Sequence, residues 1–278
     1  MKDVKSKILS NKEIAPGYFR MVLDAPYIAK HAKPGQFVQV RCSDGVEPLL
    51  RRPFSIHGLK APCSRLQGIE ILYEVIGKGT EILCKKNVGE PLDVLGPLGS
   101  GFKLPTASSL EPRAIVISGG VGVAPLIFLA EELAKQKTKM VVLIGAKTKK
   151  QILCEKDFRK LGAEVHIATD DGSCGCKGFV SKLFEKILRA TSNERRPKGV
   201  PSEVEGRTTA YACGPTPMLK CIADMCKEQK LKCQVSLEEM MACGIGACLG
   251  CAVKVKGGGY KLACKDGPVF NADEIIWS

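Results

Sequence analysis

The sequence predicts a multi-domain protein: an N-terminal antiparallel β-barrel, a central α/β domain built on a parallel sheet, and a small C-terminal domain organised by cysteines. Three observations predict it. Short β-type runs with Gly and Pro punctuation fill residues 1–108, apolar strands alternate with helical segments over 109–233, and Cys and Gly crowd residues 234–278. The chain has 278 residues, 45% of them hydrophobic, which suffices for two ordinary domains and a small third.

In the first segment, Phe37–Arg41, Ile69–Ile76 and Pro91–Leu95 read as strands separated by Pro34-Gly35, Gly77–Gly79 and Gly96–Gly101. Several short strands at that spacing predict a small barrel, with Gly96-Pro97-Leu98-Gly99 expected as a tight turn that closes it. In the second segment Ala114–Ser118 is a continuous apolar strand, a glycine turn follows, and Pro125–Lys135 has helical periodicity. Strands are expected again at Met140–Gly145, Glu164–Ala168 and Thr209–Cys213, with helices between them, the pattern of a parallel sheet covered on its faces. Residues 190–207, rich in charge, Pro and Ser, predict a loop insertion. The last segment is too small to be held together by apolar burial alone.

Composition narrows the function classes. No run approaches eighteen uninterrupted apolar residues, and MKDVKSKILSNKEIAPGYFR lacks the apolar core of a signal peptide, so no membrane span and a cytoplasmic address are expected. Fourteen cysteines in such a chain, clustered near the end, point to metal or redox chemistry rather than disulfides. The net charge of +13 raises nucleic-acid binding as a class. The lysines are scattered, though, and the densest groups, Lys147, Lys149, Lys150 and Arg195, Arg196, Lys198, are not interleaved with aromatics. A solvated surface suited to acidic nucleotides or an acidic partner is the better reading.

The strongest motif is Cys243, Cys248, Cys251 and Cys264, within MACGIGACLGC and YKLACKDGPVF. Three cysteines at x4 and x2 spacing with a more distant fourth match the plant-type [2Fe–2S] pattern. Gly244, Gly246 and Gly250 let backbone N–H groups come close to the sulfurs. A structural zinc site is the alternative, but zinc sites usually present two tight C-x-x-C pairs and this chain offers one. Cys174 and Cys176 in DGSCGCKG have no nearby partners and read as ordinary loop residues.

Two further constellations suit nucleotides. Arg52-Pro53-Phe54-Ser55 offers a guanidinium for a pyrophosphate and a hydroxyl for a flavin ring beside N5, although the tetrapeptide alone is a weak signal. Leu72-Tyr73-Glu74 supplies a strand edge, and Gly77-Lys78-Gly79-Thr80 a turn that either binds phosphate or is a plain hairpin. Gly119-Gly120-Val121-Gly122-Val123-Ala124-Pro125 follows a strand and opens a helix, placing backbone donors against a pyrophosphate, but without the G-x-G-x-x-G spacing of a Rossmann dehydrogenase. Cys213-Gly214-Pro215 ends another strand at the edge where such sheets bind ligands; Cys213 is either a nicotinamide neighbour or a small buried residue.

These constellations, in this order, resemble the ferredoxin–NADP reductase superfamily. The short gap before Cys264, with CGIGACLGC and CKDGPVFNADEIIW, resembles the dihydroorotate dehydrogenase B electron-transfer subunits within it. The resemblance implies FAD contacts at Arg52, Pro53, Phe54, Ser55, Leu72, Tyr73, Glu74, Gly79 and Thr80, with Phe54 departing from the superfamily's usual Tyr. It implies NAD(H) at Gly119, Gly120, Gly122, Cys213, Gly214 and Pro215, and the cluster on the four cysteines. NADH is the implied nucleotide, while Lys147, Lys149 and Lys150 leave NADPH open. No residue is assigned an acid–base role, and His31, His57 and His166 lie apart. The chain has no room for a barrel holding FMN and dihydroorotate, so the resemblance implies an FMN-containing catalytic subunit as partner, in a heterotetramer with two copies of each chain. The alternatives are a reductase for a ferredoxin, polysulfide or oxygenase acceptor and, in another class, a zinc-stabilised nucleotide-sensing or scaffold protein.

Overall fold

The computed structural model describes residues 1–63, 66–105, 113–193 and 208–277. Its N-terminal part contains β1 (Lys2–Ala15), β2 (Tyr18–Asp24), β3 (Phe37–Arg41), β4 (Arg52–Cys63), β5 (Leu66–Glu74) and β6 (Pro91–Leu98), with the short helices α1 (Pro26–His31) and α2 (Lys78–Cys84). The strands close a barrel in the order β1-β2-β5-β4-β3-β6, every pair antiparallel. Ile8, Met21, Val38, Val40, Ile56 and Ile71 fill its interior. The period-two alternation that turns Val38 and Val40 inward turns Phe37 and Gln39 outward. Both outward residues are nevertheless buried, because the C-terminal segment covers that face: Phe37 shares a cluster with Cys251, Cys264 and Phe270.

Two local expectations change. Gly96, Pro97 and Leu98 continue β6 instead of turning, since Gly96 pairs with Lys2 and Leu98 with Phe37. A Cβ at Gly96 would lie 2.7 Å from Val38 Cγ1, so glycine is needed there for close approach, and the turn begins at Gly99 with φ +75°. Gly77–Gly79 opens α2 rather than a hairpin, because the Thr80 hydroxyl accepts from the N–H groups of Ile76 and Gly77 and fixes the first turn.

The central part alternates β7 (Arg113–Gly119), α3 (Ala124–Lys135), β8 (Lys139–Ala146), α4 (Glu155–Lys160), β9 (Glu164–Thr169), β10 (Cys176–Lys177), α5 (Val180–Asn193), β11 (Thr208–Cys213), α6 (Thr216–Glu228) and β12 (Lys232–Ser236). The remaining strands are β13 (Ala252–Lys254), β14 (Tyr260–Leu262) and β15 (Val269–Asn271). A seven-stranded sheet runs β10-β9-β8-β7-β11-β12-β15, parallel except where β15 meets β12. From β7 the chain winds one way through β8 and β9 and then returns to the other side at β11. The carboxyl ends of β7 and β11 therefore flank a switch point, the place where such sheets leave a crevice.

The expected insertion at 190–207 is helical through Asn193, where α5 continues; 194–207 lies outside the described residues. The expected boundary at 233/234 falls inside β12, so Gln234–Ser236 are sheet, and β15 adds a strand of the C-terminal segment to the same sheet. That segment is thus anchored on both barrel and sheet. On its other side the barrel is tied to α3 and α4: buried His57 donates from Nδ1 to the Ala124 carbonyl at 2.7 Å, and Arg20 pairs with Asp157.

Candidate functional site

The cysteine loop follows β12 and has no regular structure until β13. Gly244 and Gly246 adopt φ of +72° and +84°, which bends the loop back so that its N–H groups face its own sulfurs. Cys243 Sγ accepts from Ile245, Ala247 and Cys248 at 3.5, 3.3 and 3.4 Å; Cys264 Sγ accepts from Gly246 at 3.1 Å, and Cys251 Sγ from Cys264 at 3.4 Å. Burial opposes ionisation of Cys243, yet the N–H groups of Ile245, Cys248 and Ala247 hold its thiol down at about 6. Burial, reinforced by the adjacent Cys251, pushes Cys264 up to about 12. Cys248 lies beside Cys243 and Cys251 beside Cys264, and Cys243 is near enough to Cys264 to oppose its ionisation as well. Among the described residues no three His, Cys, Asp or Glu side chains converge as ligands of one ion. A [2Fe–2S] centre requires two thiolates for each of two irons, and these four cysteines can supply them.

Beside the loop lies the barrel face expected to hold flavin. β3 and β4 pair in the register Phe37↔Ser55 and Gln39↔Pro53, so Arg52–Ser55 runs directly alongside the strand that touches the cysteine loop. Phe54 and Tyr73 meet edge to face at 5.7 Å, and Tyr73 donates to Asn11 Oδ1 at 3.0 Å, which fixes both rings. Gly79 packs on Arg52: a Cβ there would lie 3.2 Å from Arg52 Cγ and 3.3 Å from Nε. The missing side chain leaves the half-buried guanidinium beside the opening turn of α2, whose first N–H groups have no partner within the helix. A guanidinium and free amides together suit a pyrophosphate. Thr80 uses its hydroxyl within that turn, donating to the Gly77 carbonyl at 3.0 Å, and offers a ligand its backbone N–H. Glu74 accepts from the Tyr18 hydroxyl at 3.1 Å.

A cleft of about 460 Å³ opens at the switch point. Gly119 at the end of β7 and Gly120 after it, Gly145 near the end of β8 and Lys147 after it, Asp170 after β9, and Pro215 and Met218 after β11 line it. Tyr18 and Glu74 close it from the barrel, and Glu238 from the approach to the cysteine loop. Burial, then the facing Glu74, raises the Glu238 carboxyl above its usual range. Of the residues expected to meet nicotinamide nucleotide, Gly119, Gly120 and Pro215 line this cleft, while Gly122, Cys213 and Gly214 pack beneath it. A Cβ at Gly122 would strike the Cys213 carbonyl, and one at Gly214 would lie 2.6 Å from Met218 Cε, so both glycines serve close packing. The Cys213 thiol is 2% exposed, and burial followed by Glu238 holds it far above the ordinary thiol range.

Sequence reasoning missed Gln151, Asp170, Phe179, Met218 and Glu238 as lining residues. Asp170 was recoverable, since it directly follows an expected strand on the edge where ligands bind. Glu238 and Phe179 carried no such signal. Of the three lysines considered for a 2′-phosphate, only Lys147 lines the cleft; Lys149 and Lys150 lie in a 3₁₀ turn, with the Lys149 N–H donating to Ser173 Oγ at 2.7 Å.

Comparison with known proteins agrees with this arrangement. A family model described as the iron–sulfur cluster binding domain of dihydroorotate dehydrogenase B matches residues 238–276, and an oxidoreductase NAD-binding domain matches 116–224. The chain is 44% identical to the dihydroorotate dehydrogenase B (NAD(+)) electron transfer subunit of Desulforamulus reducens, covering 98% of this chain and 97% of that protein. It is 38% identical to the subunit of the same name from Caldanaerobacter subterraneus subsp. tengcongensis, covering 99% and 98%. A structure of the NADH-dependent reduced ferredoxin–NADP oxidoreductase, a flavin-based electron-bifurcating system, superposes with a TM-score of 0.79 at 29% identity, covering 99% of this chain and 90% of that one. A ferredoxin NADP+ reductase from Neisseria gonorrhoeae with bound FAD and NADP shares the fold, with a TM-score of 0.65 at 17% identity over 82% of this chain and 92% of that one.

Proposed function

The chain belongs to the family of dihydroorotate dehydrogenase B electron-transfer subunits, and from that premise we propose that it links NAD(H) to a partner FMN subunit that oxidises dihydroorotate to orotate in pyrimidine synthesis. It is an NAD-linked oxidoreductase subunit whose cofactors are FAD and a [2Fe–2S] cluster. The observation that carries the proposal is the make-up of the cleft. The sheet supplies Gly119, Gly120 and Pro215, the barrel supplies Glu74 from its proposed flavin strand, and the cluster segment supplies Glu238. A nucleotide lying there meets all three parts of the chain at once.

When bound, FAD would supply the conversion between the two-electron nicotinamide and the one-electron cluster. The chain's own residues bind and orient. Arg52 and the opening amides of α2 hold a pyrophosphate, Pro53, Phe54 and Ser55 with Leu72, Tyr73 and Glu74 present the flavin face, and the four cysteines hold iron. Gly119 and Gly120 let the second pyrophosphate approach the backbone after β7. Gly122, Cys213 and Gly214 set the depth of the cleft from below. Asp170 is fixed by its N–H donating to the Ala146 carbonyl at 3.1 Å, which leaves its carboxylate free to favour a ribose diol over a 2′-phosphate.

The reading assigns residues 1–108 to FAD, 109–233 to NAD(H) and 234–278 to the cluster. It places the chain in a cytoplasmic heterotetramer with two copies of each subunit. Among the described residues no helix is long and apolar enough to cross a membrane. Mixing the purified chain with the FMN subunit and supplying dihydroorotate and NAD⁺ tests it: NADH should form only with both proteins present. Electron delivery to ferredoxin or polysulfide, with no dihydroorotate-dependent NADH, would transfer the chain to another acceptor.

A further inference from the structure

Gln39 has no exposed surface, and neither its amide nitrogen nor its amide oxygen has a hydrogen-bond partner among the described residues. Gln234 shows what a buried amide ordinarily does: it accepts from the Lys103 N–H and donates to the Lys103 carbonyl, both at 2.8 Å. A buried amide without partners is costly, so one held in place by its surroundings points to a partner that protein atoms do not supply.

Its position says which partner. Gln39 projects from the outer face of β3 onto the cysteine loop, where Gly244 follows Cys243. A Cβ at Gly244 would lie 2.6 Å from Gln39 Cγ and 2.7 Å from Nε2, so the loop's left-handed glycine makes room for this side chain in particular. The Nε2 end is the one against the loop. Thiolate and sulfide sulfurs accept hydrogen bonds and donate none, which suits an N–H₂ group facing them. The other sulfur contacts come from the loop's own backbone, to Cys243, Cys251 and Cys264. Gln39 would add a donor from the barrel, on a strand whose neighbour carries Arg52–Ser55.

We infer that Gln39 is a positioning residue for the iron–sulfur centre, donating its amide N–H to an inorganic sulfide at the Cys243 end of the cluster and so tying the cluster's potential to the barrel. The inference rests on the reading of the cysteine loop as a [2Fe–2S] site. A donor to sulfur favours the reduced, more negative cluster and raises its potential.

The test uses the anaerobically purified holoprotein. Redox titration followed by electron paramagnetic resonance should show the reduced cluster about tenfold less favoured in Gln39→Leu than in wild type, a fall of about 59 mV for one electron. Gln39→Met, which keeps the length of the side chain and loses the donor, should fall about as far. Wild-type protein carrying ¹⁵N in its glutamine side-chain amides should show nitrogen hyperfine coupling to the reduced cluster, and Gln39→Leu should lose it. An unshifted potential in a cluster-loaded variant, or wild-type protein without the coupling, overturns the inference. Should both variants fail to assemble, the wild-type coupling decides alone. Wild-type chain lacking iron and sulfide would sink the cluster reading itself, a result distinct from an intact cluster that ignores Gln39.

Discussion

At the scale of single residues, His57 shows how burial sets a protonation state with consequences for the whole barrel. Its imidazole is fully enclosed, donates from Nδ1 to Ala124, and faces the Cys154 thiol at 3.9 Å from Nε2. Burial holds its pKa down at about 4 against the bonus of the Ala124 carbonyl and Glu70, with Arg20 and Lys60 adding to the depression. Below about pH 6.5 the unfolded chain gains a proton that folded His57 refuses until about pH 4, so stability present above pH 6.5 is lost as pH falls. The loss should be about 2 kcal/mol between pH 7 and pH 5. Denaturant midpoints across that range should fall in wild type and flatten in His57→Gln; parallel curves would remove His57 from the account. The cysteines are the other single-residue case. Cys264→Ser should bring iron from about two per chain to below about one while leaving FAD in place, measured on the same sample. The cysteine pattern was legible in the sequence because cluster ligands lie close along one loop. Gln39 was not: one amide in an apolar strand carries no signal until a loop far along the chain is seen to cover it.

Whole elements were read best where one periodicity governs them. Phe37–Arg41 was bounded as it is found, and the β7–α3 unit was recognisable because a fully buried strand, a glycine turn and a helix opened by Pro125 follow in order. Where the elements differ from their sequence pattern, glycine that reads as turn punctuation serves the fold through its missing side chain. Gly96 permits contact with Val38 inside β6, and Gly79 makes room for Arg52 at the start of α2. The end of β9 gives the element-scale prediction. Lys147 and Asp170 both line the cleft, and Asp170 is pinned by its backbone to the end of β8; in the proposed reading its carboxylate disfavours a 2′-phosphate. Asp170→Ala should lower the NADH-over-NADPH ratio of kcat/KM by about tenfold, roughly 1.4 kcal/mol. An unchanged ratio in steady-state dye reduction would assign nucleotide choice elsewhere.

For the molecule as a whole, the sequence announced three parts, while their mutual dependence appears only in three dimensions. β15 completes the edge of the nucleotide sheet, Phe37 of the barrel shares a core cluster with Cys251 and Cys264, and Glu238 reaches the cleft that Glu74 closes from the opposite side. These long-range meetings bring the expected FAD strand, the nucleotide cleft and the cysteine loop into one neighbourhood, which is what an electron path between their cofactors requires. The measurement that tests this most directly is the visible spectrum of anaerobically purified protein before and after NADH, with flavin, iron, sulfide and zinc quantified in the same sample. About one FAD and two irons per chain, with flavin and cluster both bleached by NADH, is the predicted result. Zinc in place of iron, or a flavin that bleaches while the cluster stays oxidised, would contradict it.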